Sequence, residues 1–186
     1  MVYLAALWLP ILLAAVAVFV ASSILHMVVG HHRSDYKAMP GEGAVLAAMR
    51  ENGVSPGYYS MPHCTDMKEL QEPEVQEKFK KGPVALVTVM PSGVPSMGKS
   101  LALWFVFCLV ISVIVAYLTG RTLGPGTEYL EVFRVAGTAA LLGYVGAEVT
   151  QSIWRGLPWS ITLKNLLDGL VYSLVTAGVF GWLWPS

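Results

Sequence analysis

The chain is 186 residues long, 55% hydrophobic and only 13% charged, with 12 lysines and arginines against 12 aspartates and glutamates. A net charge of zero excludes nucleic-acid binding through a general positive field. Two cysteines, Cys64 and Cys108, are too few for a disulfide framework.

The first element is an apolar run over residues 4–29. A helix rising 1.5 Å per residue needs about 20 residues to cross a hydrocarbon core of about 30 Å, and this run exceeds that. It has no basic residue ahead of it and is too long for the apolar part of a signal peptide, so it is read as a retained anchor.

Residues 30–99 follow, too many for a structureless connection. Residues 41–52 predict a short helix stopped by Gly53. Residues 57–61 predict a strand after Ser55-Pro56-Gly57. Residues 74–81 predict a charged helix opened by Pro73 and closed by Gly82-Pro83. The β-branched enrichment of 83–90 predicts a second strand. Together these make a small α+β cap with too little apolar surface for a large core.

Gly93, Gly98, Lys99 and Ser100 match the phosphate-loop pattern G-x-x-x-x-G-K-[ST]. That loop works by wrapping backbone N–H groups around phosphates between a parallel-sheet strand and a packed helix. Here the following helix is a membrane span, and no series of β–α units precedes it. The match is read as a decoy: a turn in which Lys99 snorkels and Ser100 caps the helix.

Three more apolar runs complete the chain, at 101–119, 130–154 and 161–184. The expected fold is an all-α membrane protein: a bundle of four transmembrane helices, with the α+β cap between the first two. Its divisions are 1–29, 30–99 and 100–186. Eight basic residues, from Arg33 to Lys99, lie between the first two spans, against Arg121 and Arg134 on the opposite face. Positive charge stays with the cytoplasm, so 30–99 is expected inside and both termini outside.

Three groups of residues are candidates for chemistry. His26, Glu148, Lys164 and Asp168 fall at similar depth inside the spans, where ionisable groups are expensive and need partners. They read either as a cation site or as a polar clamp on helix register. His31, His32, His63, Cys64 and Asp66 offer imidazole, thiolate and carboxylate ligands that suit zinc, without a diagnostic spacing. Finally, Ala139, Gly143 and Ala147, and Gly169, Ser173, Ala177 and Gly181, recur four apart. Small residues at that spacing let helices approach closely, within the protein or against a partner.

The segments Ser22-Ser23-Ile24-Leu25-His26-Met27, His32-Arg33-Ser34-Asp35-Tyr36, Ser96-Met97-Gly98-Lys99-Ser100-Leu101 and Leu167-Asp168-Gly169-Leu170-Val171-Tyr172 carry a resemblance. Through them the chain resembles a group of four-helix bacterial inner-membrane proteins to which no activity is attached. The resemblance implies a bacterial inner membrane and supplies no catalytic residue. The expected role is an accessory or assembly subunit of a larger membrane complex. A small oligomeric ion or metabolite transporter is the alternative, and a metal-dependent membrane enzyme the third reading. The expected partners are the lipid bilayer and other membrane subunits or a second copy. No cofactor is expected, with a metal or pigment left open.

Overall fold

The computed structural model describes residues 1–186. It divides into two compact units, one of residues 1–36 with 96–186 and one of residues 37–95.

The first unit is helical. Helix α1 (Trp8–Ser23) is preceded by a short 3-10 turn (Leu4–Leu7) and followed by a π-helical segment (Ile24–Val29). Helices α4 (Met97–Thr122), α5 (Tyr129–Val145), α6 (Glu148–Arg155) and α7 (Trp159–Trp182) complete the bundle. Helices α2 (Glu42–Glu51) and α3 (Pro73–Lys81) lie in the second unit.

Four helical stretches are long and apolar enough to cross a membrane: Leu4–Val29, Met97–Thr122, Tyr129–Arg155 and Trp159–Trp182. Their outward faces carry exposed Leu12, Val20, Leu103, Val106, Leu163 and Leu167, among others. In water such a surface would be a large apolar patch. In lipid it is already solvated.

Alanines dominate the interior. Ala14 and Ala15 on α1, Ala116 on α4, Ala136 and Ala140 on α5 and Ala177 on α7 are all 0% exposed. Small side chains bring the helix axes together where lipid offers no hydrophobic drive. The row Gly169, Ser173, Ala177, Gly181 turns inward on α7, and Gly181 abuts the Tyr129 ring. On α5 the fully buried row is Val132, Ala136, Ala140. Ala139 packs beside it, Gly143 faces Ile111, and Ala147 is exposed. Adjacent four-residue rows lie side by side on a helix, so composition does not choose between them.

The third span is not continuous. The expected helix over 130–154 breaks after Val145, at Gly146 and Ala147, and resumes at Glu148. Glycine costs a helix about 1 kcal/mol relative to alanine. Glu148 then stands in the first turn of α6, where the N-terminal end of a helix favours an anion.

The second unit holds α2 (Glu42–Glu51), strand β1 (Gly57–Met61), α3 (Pro73–Lys81) and strand β2 (Ala85–Val89). The strands pair antiparallel, with Tyr59 opposite Val87. No residue between 37 and 95 is buried.

Candidate functional site

Span one ends at Gly30, whose φ of +61° lies in the left-handed region. A side chain is strained at that φ, so glycine is needed for conformation, whereas the Arg33 guanidinium 2.7 Å from an added Cβ is a flexible end that could move. The reversal sends residues His31–Ser34 into a 3-10 turn that packs on α7. Residues 30–36 therefore belong to the bundle, although the sequence groups them with the cap.

Lys164, on α7, holds this turn. Its ammonium donates to the His31 carbonyl at 2.7 Å, to Ser34 Oγ at 3.1 Å and to Asp35 Oδ1 at 2.5 Å. Three donors meet three acceptors. One turn further along α7, Asp168 is 5% exposed and collects the histidines. His31 Nε2 lies 2.9 Å from Asp168 Oδ1, and His32 Nε2 lies 2.9 Å from Asp168 Oδ2. His26 Nε2 approaches Asp168 Oδ2 to 3.8 Å. The rings of His26 and His32 stack at 4.8 Å between centroids, with 13° between their planes.

Proton positions follow from the partners. His26 Nδ1 is 3.0 Å from the Ser22 carbonyl, which only accepts, so this nitrogen carries the proton. In the neutral ring Nε2 is then a lone pair aimed at a carboxylate oxygen, beyond hydrogen-bond range. His32 faces carboxylates on both sides: Nδ1 lies 2.5 Å from Asp35 Oδ2 while Nε2 points at Asp168. Burial pulls the His32 pKa down, but the hydrogen bonds to Asp35 and Asp168 outweigh it, and the net direction is upward. The Lys164 ammonium, followed by the His32 ring, holds the Asp35 carboxyl below its ordinary value. Each His32 ring nitrogen faces a carboxylate oxygen that can accept its proton. His31 donates through Nε2, which leaves its Nδ1 buried without a partner.

The structure thus brings His26, Lys164 and Asp168 together with His31, His32 and Asp35. Glu148 lies apart from them and accepts from Asn165 Nδ2 at 2.8 Å. His63, Cys64 and Asp66 belong to the other unit. There His63 Nδ1 meets Ser60 Oγ at 3.0 Å, and Asp66 Oδ1 accepts the backbone N–H groups of Lys68 and Glu69. Asp35 was not singled out in the sequence; its i, i+3 spacing from His32 was the available signal. His31 and His32 are adjacent in sequence. They converge on Asp168 because its carboxylate offers one oxygen to each.

Near the phosphate-loop pattern, Ser96 rather than Ser100 caps α4, accepting the Lys99 N–H on its Oγ at 3.4 Å. Ser100 bonds back to the Ser96 carbonyl. The preceding strand belongs to an antiparallel pair, so the parallel sheet that supports a phosphate loop is missing.

Further buried polar groups lie elsewhere in the bundle. Trp104 Nε1 donates to Ser22 Oγ at 2.8 Å, and the Trp104, Tyr144 and Tyr172 rings pack together. Beyond them Ser112, Thr119 and Thr176 are 0% exposed. Ser112 Oγ and Thr119 Oγ1 make no hydrogen bond within the protein.

The helices define a mostly helical bundle of multi-pass membrane character, with an ionisable centre at one end. No model of a protein family, no curated protein and no solved structure matches the chain.

Proposed function

We propose that this protein is a small cation transporter of a bacterial inner membrane, with Asp168 and its histidines as the cation-binding station. Residues 30–99 face the cytoplasm in this reading, as their basic residues require. The observation that carries it is the pair of buried hydroxyls, Ser112 and Thr119, left without a protein partner inside the bundle. A buried hydroxyl without a partner is costly, so such groups persist where water or a passing cation satisfies them. Asp168 stands about 14 Å along α7 from its start, and Thr119 about 33 Å along α4. Polar groups therefore occupy much of the depth between the station and the far end.

Cation flux into proteoliposomes driven by a potassium diffusion potential, read for protons with a pH dye and for divalent metal ions with a trapped fluorescent chelator, tests the reading. Asp168→Asn is expected to abolish the flux, while Glu148→Gln, outside the cluster, retains it. Equal flux from unaltered protein and Asp168→Asn would remove the proposal.

Orientation has its own reporter. Cys64 is partly accessible and Cys108 is buried in span two. An impermeant maleimide is expected to label Cys64 only after the membrane is opened. Labelling of intact spheroplasts would place residues 30–99 outside.

One observation favours a second reading, an accessory subunit of a larger complex. The segment 37–95 buries none of its residues on its own, which fits a module completed by contact with another subunit.

A further inference from the structure

We infer that the cation held at this station is a divalent first-row transition metal, bound by His26 Nε2, His32 Nε2 and Asp168 Oδ2. The inference rests on the transport reading only for movement of the ion; binding stands on geometry alone.

His26, His32 and Asp168 each offer one ligand atom, all within 4.8 Å of one another. A metal with bonds of about 2.0–2.1 Å spaces its ligands about 3.3 Å apart in a tetrahedron and about 2.9 Å between octahedral neighbours. The separations to the shared oxygen are 2.9 Å from His32 and 3.8 Å from His26, so binding requires His26 to close by about 0.5 Å and turn out of its stack on His32. Two imidazoles and one carboxylate select zinc, iron or cobalt over magnesium and calcium, which take all-oxygen sets.

The outer partners are also in place. Metal-ligating histidines donate their second N–H to a carboxylate or a backbone carbonyl, which fixes the tautomer and aims the lone pair at the ion. His32 Nδ1 has Asp35 and His26 Nδ1 has the Ser22 carbonyl. The close approach of the His26 lone pair to a carboxylate oxygen, repulsive by itself, becomes favourable with a cation between them. A π-helical segment carries His26, and such windings recur at functional sites. On binding, the metal replaces the Nε2 proton of His32, which leaves to solvent. The histidine becomes a neutral ligand and the carboxylate stays ionised. His31 stands on the other oxygen of Asp168, with its Nε2 at 2.9 Å.

The test uses full-length protein in detergent micelles, stripped with chelator and titrated with Zn²⁺ and with Co²⁺. One ion per chain is expected. The Co²⁺ form should show visible d–d bands without the near-ultraviolet thiolate band that ligation by Cys64 would add. His26→Ala and Asp168→Asn are each expected to weaken Zn²⁺ binding by on the order of 100-fold or more. Asp35→Asn, which keeps all three ligands, should weaken it roughly 10- to 100-fold, and His63→Ala should leave it unchanged. Unaltered protein that takes up less than a tenth of an equivalent of Zn²⁺ overturns the proposal. So does a thiolate band, or an unchanged affinity in a folded His26→Ala protein. Metal binding without flux of protons or of metal ions leaves this site standing and removes transport; proton flux without metal binding does the reverse.

Discussion

Gly169→Ala is expected to destabilise the bundle by about 2 kcal/mol, a cost typical of overpacking. The position lies where α7 crosses α5, and an added Cβ would sit 2.1 Å from Val145 Cγ1. No real pair of carbons approaches so closely, so a helix or a side chain must move. For a chain of this size the loss corresponds to a fall of roughly 4–8 °C in apparent melting temperature. Val145→Ala removes the offending methyl, and the next nearest atoms, Val145 Cβ and Tyr144 Cβ, lie at an ordinary 3.5 Å. The double variant Gly169→Ala/Val145→Ala should therefore melt above Gly169→Ala alone. Thermal melts of purified protein in one detergent decide it. A single variant as stable as the parent would show that the helices do not cross at this distance.

Lys164→Met is expected to free the His31–Ser34 turn while leaving the helix beneath it intact. Methionine keeps the apolar stem and removes the ammonium that binds the His31 carbonyl, Ser34 Oγ and Asp35. The first two of these bonds, at about 1 kcal/mol each, correspond to amide exchange in residues 31–35 roughly 30-fold faster. Exchange in the middle of α4 should stay unchanged, which separates a loosened turn from a loosened fold. Deuterium uptake followed by mass spectrometry reads both segments in one experiment. Unaltered exchange at 31–35 would mean that packing, and not the lysine, holds the turn.

Much of the architecture is legible in the sequence because lipid imposes a simple rule. Every backbone group must bond within its own helix, so a span announces itself as an uninterrupted apolar run. The elements of 37–95 are legible for another reason: Pro73, Gly53 and Gly82 punctuate them. The break in span three is less visible, since Gly146 lies in a run already rich in small residues.

The site divides in the same way. Counting residues from a span end gives height in the membrane but not the angle around the bundle. His26, Glu148 and Asp168 stand at similar counts, yet Glu148 faces Asn165 while His26 faces Asp168. The approach of His31 and His32 depends on the left-handed turn at Gly30, a three-dimensional reversal with no signature in hydropathy. Asp35 enters through the same reversal.

The absence of a sealed interior in residues 37–95 has a calorimetric consequence. A sharp heat-absorption peak comes from many apolar groups meeting water together, and this stretch has few such groups to release. Warmed on its own, it should lose order by degrees, its two-stranded ribbon fraying before any single transition can be drawn.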